Sequence, residues 1–289
     1  MTTVNDVHVH FFSTPFFATL GGERALTRLG WDPPGSAETL ADRWIAELDR
    51  HSVHRAALIA SAPGDEASVA AAVARHPSRF VGFFMVDPTR ADSNATTAAA
   101  LGSGLRTICL FPAMHGYALA DARAQRMFEL AAAHPGSAVF VHCGVLSIGV
   151  RKKLGLPSLF DVTLGNPLAL QPIAARYSTV PIIVPHVGAG YFREALMLAD
   201  MCSNVHFDTS SSNGWIKYHP GLTLTAVLRQ ALAVAGPDRL LFGTDSSFFP
   251  RGWVRDVYEQ QSRALAELGV GEDVKSKVFG GTFERLFAP

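Results

Sequence analysis

The sequence predicts an α/β chain folded as a single (β/α)8 TIM barrel, regular or distorted, over residues 1–289, with a C-terminal helix. Three observations predict it. Short apolar runs recur eight times, each followed by a stretch with helical spacing, and parallel strands joined by helical crossovers can close into a barrel. No low-complexity linker divides the chain. No Gly-rich turn follows an early strand, as the rival doubly wound open sheet would require at its usual site.

The strands are read from runs rich in β-branched or aromatic residues and bounded by Pro, Gly or Asp. They are Val4–His10, Arg55–Ala60, Phe80–Val86, Leu105–Phe111, Ala138–His142, Ile182–His186, Val205–Thr209 and Leu240–Asp245. Between them lie Ala- and Leu-rich segments such as Ser36–His51, Asp121–His134 and Leu222–Gly236. Ser36 is a suitable N-cap, and Gly236 followed by Pro237 is a stop signal. The last helix is read in "DVKSKVFGGTFERLF". Two connections are unusually long: Phe11–Gly35, and the stretch from Cys143 to Gly165. Both follow the C-terminal ends of strands, where barrel enzymes hold substrate. They are read as lids, because Phe11, Phe12, Phe16, Phe17 and Trp31 would be costly to leave wet.

Composition excludes several function classes. Formal net charge is +0, and no extended Lys/Arg run is present, which disfavours nucleic acid as a partner. No long uncharged apolar run suggests a membrane span, and no export signal is read before the first strand. Three scattered cysteines, Cys109, Cys143 and Cys202, suggest reduced thiols and a cytoplasmic location. The expected partner is a small-molecule substrate, and a homodimer is compatible with the sequence.

The chemistry lies at the strand ends. The first strand carries "DVHVH", and alternation places Asp6, His8 and His10 on one face. The fifth run ends at His142, the sixth at His186 and the eighth at Asp245. In a barrel these ends surround one mouth, so groups far apart in sequence converge there. Neutral imidazole and carboxylate oxygen suit one divalent metal ion, zinc first, with manganese or iron as alternatives. His8, His10, His142 and Asp245 are the expected ligands. Such an ion lowers the pKa of its water to about 7. His186 is cast as a nearby base or hydrogen-bond donor. Asp6 either orients a ligand imidazole or is a minor ligand.

Taken in order, "DVHVH", "VHCG", "PHVGAG" and "FGTDSS" resemble the amidohydrolase superfamily. The chain looks most like its amidohydrolase-2 branch, which includes aminocarboxymuconate-semialdehyde decarboxylase, resorcylate-type decarboxylases and several lactone hydrolases. The resemblance extends to "RHPSRFVGFFMVDP", "GLRTICLFP" and the tail "GGTFERLF", where Thr282 replaces the usual Asn. Binuclear branches carry a carboxylated lysine or a glutamate on the fourth strand. Here that strand, "LRTICLF", has neither, which implies a mononuclear site.

The remaining polar residues have rival readings. His115 either touches substrate or caps a loop. Arg193 and Arg251 either clamp a substrate carboxylate or form surface ion pairs. Trp215, with Lys217 and His219, is expected in a lid and is carried as a substrate contact. His51, His54, His76 and His134 are read as structural. His206 and Asp208 share a face of the seventh strand and could support the site. Cys143 is rejected as a nucleophile, because alternation turns it away from His142 and no separate base is evident.

The leading expectation is a metal-dependent hydrolase of a small, anionic lactone, amide or ester, with Asp245 moving the water proton and His186 positioning water or stabilising an oxyanion. The alternative is a non-oxidative decarboxylase of an aromatic or dienoic acid using the same site.

Overall fold

The computed structural model describes residues 3–211 and 214–288. Eight parallel strands follow one another in sequence order. They are β1 (Val4–Phe11), β2 (Val53–Ala60), β3 (Phe80–Val86), β4 (Thr107–Leu110), β5 (Ala138–Val141), β6 (Ile182–Val184), β7 (Val205–Asp208) and β8 (Leu240–Leu241). The last gap is closed by backbone beyond β8. Val7 N donates to Phe242 O at 2.9 Å, Asp245 N to His8 O at 3.0 Å, and His10 N to Ser246 O at 2.7 Å. The expected (β/α)8 barrel is therefore present, with a seam between β1 and the short β8.

Period-two alternation builds the interior. Ile59, Phe83, Met85, Cys109, Phe140 and Ile183 pack together inside the barrel. Their neighbours Leu58, Phe84, Ile108, Val139 and Val184 pack outward against the helices. The outer helices begin and end where the sequence signals them. The Ser36 hydroxyl accepts from Thr39 N at the start of helix Ala37–Arg50. Helix Leu224–Ala235 stops at Gly236, whose φ is 72°. No helix among the described residues is long and apolar enough to cross a membrane.

β1 departs from strict alternation. Asp6 pairs with Ala56 while Val9 pairs with Leu58, so β1 holds one extra residue against β2. Such a β-bulge re-aims side chains. Val7 joins the interior cluster, whereas Val9 and Phe11 stay in the outer one. The expectation that Asp6 shares a face with His8 and His10 is thereby corrected. Asp6 sits level with outward-facing Ala56, and its carboxylate accepts from Thr244 Oγ1 at 2.5 Å and from the Trp253 indole at 2.7 Å. It pins the β1–β8 seam.

The C-terminal segment, helices Glu272–Ser276 and Thr282–Phe287 around a π-helical turn, plugs the barrel's lower end. Phe283 and Phe287 enter the interior cluster. Buried Arg55 donates to Glu284 at 2.6 Å and to Phe287 O at 3.0 Å. The buried Thr282 side chain donates to Pro237 O at 3.0 Å.

The two long connections pack on each other. Residues 12–35 contain helices Thr14–Ala18 and Glu23–Leu29, and the β5–β6 connection contains helix Gly149–Lys153. Phe16, Phe17, Leu26 and Trp31 form a small core with Val150 and Leu154, joined by Phe248 from the segment after β8. Phe16, Phe17 and Trp31 are buried there, and Phe12 and Phe248 are partly buried against them.

Candidate metal centre

Three side chains converge at the upper end of the β1–β8 seam. His8 and His10 leave β1 on either side of Val9, and Asp245 follows β8 in a left-handed conformation with φ 59°. The left-handed region is uncommon for a non-glycine residue, although Asp tolerates it better than most. It is held here by the seam bond from Asp245 N to His8 O. His8 Nε2 lies 3.2 Å from His10 Nε2 and 3.6 Å from Asp245 Oδ1; His10 Nε2 lies 3.3 Å from the same oxygen.

The far side of each ring decides its proton. His8 Nδ1 donates to Asp208 Oδ2 at 2.6 Å. His10 Nδ1 faces Ser61 Oγ at 2.8 Å, while the Ser61 hydroxyl hydrogen goes to Ile59 O. Ser61 is thus an acceptor, and His10 Nδ1 carries the hydrogen. In their neutral forms both rings therefore aim Nε2 lone pairs at a carboxylate oxygen. In that state three acceptors lie within 3.6 Å of one another with no donor between them, a candidate cation site, and nitrogen-plus-carboxylate is the chemistry divalent transition metals take. The trio meets the spacing of a metal cluster.

Electrostatics agree with a site built around positive charge. Burial would lower the His8 pKa, but the Asp208, Asp245 and Asp6 carboxylates outweigh it and push it up to about 9. Burial would raise Asp245; the close contact with His10 and the positive fields that His8, His10 and His186 exert when protonated hold it far below the usual carboxylate range. His142 is pushed well down, first by burial and then by the neighbouring histidines.

Asp208 performs the orienting role expected of Asp6. It also accepts from Ser210 N at 2.7 Å and Ser210 Oγ at 2.9 Å. Gly243 leaves the room: a Cβ there would stand 2.6 Å from Asp208 Oδ1 and 3.0 Å from His8 Cβ. His186 follows β6 in a left-handed run, with φ 55° at His186, 48° at Val187 and 42° at Ala189. For a β-branched residue such as Val187 this is a strained conformation. The run is braced by Val145 N, which donates to Ala189 O at 2.8 Å. His186 Nδ1 donates to Ser210 O at 2.8 Å. Its ring lies 5.2 Å from His8 and 5.3 Å from His142.

The family model of the amidohydrolases, from which "DVHVH" to "FERLF" would be read as one unit, matches residues 6–288. This chain belongs to the amidohydrolase family. Protein fluG of Emericella nidulans is 33% identical over 92 residues, 31% of this chain and 10% of that protein, so the chain spans about a tenth of the length of this curated relative. Among solved structures, a probable 2-pyrone-4,6-dicarboxylic acid hydrolase from Acinetobacter baumannii, with citric acid bound, aligns over 100% of both chains at 15% identity and TM-score 0.66. An amidohydrolase from Burkholderia multivorans with zinc bound aligns over 99% of both chains at 17% identity and TM-score 0.67. At such identities the structural likeness establishes the shared fold.

In this amidohydrolase the other expected site residues divide. His142 lies outside the trio; it stacks on Phe111, and its buried Nδ1 has no hydrogen-bond partner. Arg251 comes close, its guanidinium donating to Asp245 O at 3.2 Å. His115 ends a short helix after β4, half-buried, with its Nδ1 unpartnered and its ring facing Tyr117 at 6.5 Å. Arg193 and Trp215 are not brought to the trio. The Arg193 side chain is 83% exposed and pairs with its neighbour Glu194. Trp215 is buried between Phe192 and His219, where its apolar area is better spent. Cys143 is buried in the outer cluster, and burial pushes its thiol far up, as its rejection as a nucleophile requires.

Ser61, Ser210 and Ser211 were not foreseen. The Ser211 hydroxyl donates to Asp245 Oδ2 at 3.1 Å. The polar run "DTSSS" after strand seven parallels "TDSS" after strand eight and was the available signal.

Proposed function

We propose that this amidohydrolase is a metal-dependent hydrolase of a small anionic carbonyl compound, a lactone, ester or amide. The observation that carries the reading is the convergence of His8 Nε2, His10 Nε2 and Asp245 Oδ1 with both Nδ1 protons committed elsewhere. His8, His10 and Asp245 would hold one divalent ion, zinc by preference, with His142 as a further nitrogen. A bound ion supplies Lewis acidity, polarising a carbonyl and acidifying water.

The chain's own residues do the rest. Asp208 and Ser61 hold the two imidazoles in the tautomer that presents Nε2. Asp245, with Oδ2 steadied by Ser211, accepts the water proton and returns it to the leaving group. His186, its Nδ1 hydrogen committed to Ser210 O, offers Nε2 as an acceptor. That tautomer favours orienting water over donating to an oxyanion. Arg251, tethered to the Asp245 carbonyl, meets substrate charge at the mouth.

The test is turnover in ¹⁸O-water by metal-loaded protein on carboxylated lactones, esters and amides. The expected result is one labelled oxygen in the new carboxylate and no carbon dioxide. Carbon dioxide release with a solvent deuteron on carbon would overturn the hydrolase reading in favour of the decarboxylase.

A further inference from the structure

Phe248, in the segment after β8, stacks on Trp31 of the first lid connection with centroids 3.6 Å apart and planes 9° from parallel. Two cations from different segments lie against this stack. The Lys153 ammonium sits 5.4 Å from the Trp31 centroid and 5.6 Å from that of Phe248. The Arg251 guanidinium lies 5.1 Å from the Phe248 centroid and donates to the backbone carbonyl oxygen of Asp245 at 3.2 Å. Among the described residues neither cation is paired with a carboxylate in an ion pair, although twelve Lys or Arg ion pairs join other residues. Two like charges gathered on one ring repel each other. The arrangement becomes favourable when an anion lies between them.

We infer that Lys153 is a specificity-determining residue which, with Arg251, holds a substrate carboxylate remote from the reacting carbonyl. The occupant is therefore a compact carboxylate, with an oxygen group toward the His8–His10–Asp245 trio and the carboxylate toward Lys153 and Arg251, and a dicarboxylate probe occupies both ends. Arg251 supplies the planar fork and Lys153 the point charge. The inference rests on the metal-site reading for the first end of that ligand, so its test reads binding rather than turnover.

The probes are benzene-1,3-dicarboxylate and its neutral dimethyl ester, titrated calorimetrically into zinc-loaded protein. The wild type should prefer the dianion. Lys153→Met should weaken dianion binding about five- to tenfold, the range for losing one partly exposed charge-assisted contact. Lys153→Arg should restore most of it, and Lys152→Met, one residue away, should behave as wild type. Raised salt should narrow the preference. Equal binding of dianion and ester by the wild type, or unchanged dianion binding in Lys153→Met, would overturn the inference. So would an equal loss in Lys152→Met, which would mean a diffuse field. Loss of dianion binding on zinc removal, with the Lys153 dependence gone, would still leave the metal reading intact. Persistence of that dependence without zinc would separate the clamp from the metal site.

Discussion

At the scale of single residues, the site is a problem in proton placement. His8 and His10 can present lone pairs to one point only because Asp208 and Ser61 take up their other ring nitrogens. Asp208→Asn keeps the volume but weakens that hold, so metal affinity should fall about 10- to 100-fold, read by competition with a chromogenic chelator. Asp245→Asn should lower kcat by about 10²-fold or more, the usual size of a lost general base. Its retained zinc content would separate proton transfer from ligation. A further titration belongs to the barrel's other end. Burial pulls His206 down to about 4, helped by Arg285 and Arg239. Its folded pKa is thus below its unfolded value, so the unfolded chain binds the proton first as pH falls. Stability is full above pH 6.5 and declines toward pH 4, by about 3 kcal/mol from this group at about 1.4 kcal/mol per unit. His206→Gln should flatten that part of the pH profile in urea denaturation; an unaltered slope would contradict it.

At the scale of elements, one extra residue in β1 separates Asp6 from His8 and His10. The bulge gives the seam a carboxylate and leaves the mouth its two imidazoles. The loop after β6 is the other decisive element. Its left-handed run carries His186, and the Gly144 backbone lies against it so closely that a Cβ would collide with the carbonyl oxygens of Gly188 and Ala189. Gly144 itself has φ 77°. Gly144→Ala should therefore destabilise by about 2 kcal/mol or more, as strain at special backbone positions does. It should also impair turnover by displacing His186. A melting temperature equal to wild type would show that the two loops can part without cost.

At the scale of the whole molecule, the barrel is closed by different means at its two ends. The lid connections and Phe248 share a small apolar core above, while Arg55, Asn5 and Glu284 fasten the C-terminal plug below. Arg55→Met strips one partner from this buried polar cluster. It should cost about 2–3 kcal/mol, less than a fully buried pair because Glu284 is partly wet. That loss should appear in the denaturation midpoint without changing metal content, since the plug and the trio lie at opposite ends.

The sequence alone determined the barrel and the strand ends from which His8, His10 and Asp245 converge. Eight apolar runs of strand length fix the number of staves, and a residue at the end of a stave must face the mouth whichever loops follow. That is why His8, His10 and Asp245 could be drawn to one mouth from the strand ends, although His142, also at a strand end, lies outside the trio. Only the tertiary structure decided which carboxylate serves His8. A bulge is invisible to period-two reading, so Asp6 seemed to belong beside the histidines, while Asp208 arrives from a strand about two hundred residues away. Only the tertiary structure, likewise, chose among the cations. Arg193, Arg251 and Lys153 all lie on or beside connections whose course depends on what they pack against. Packing sent Arg193 into solvent with Glu194 and brought Arg251 and Lys153 to one aromatic ring, because loop positions are set by distant contacts and strand ends by the local alternation of the chain.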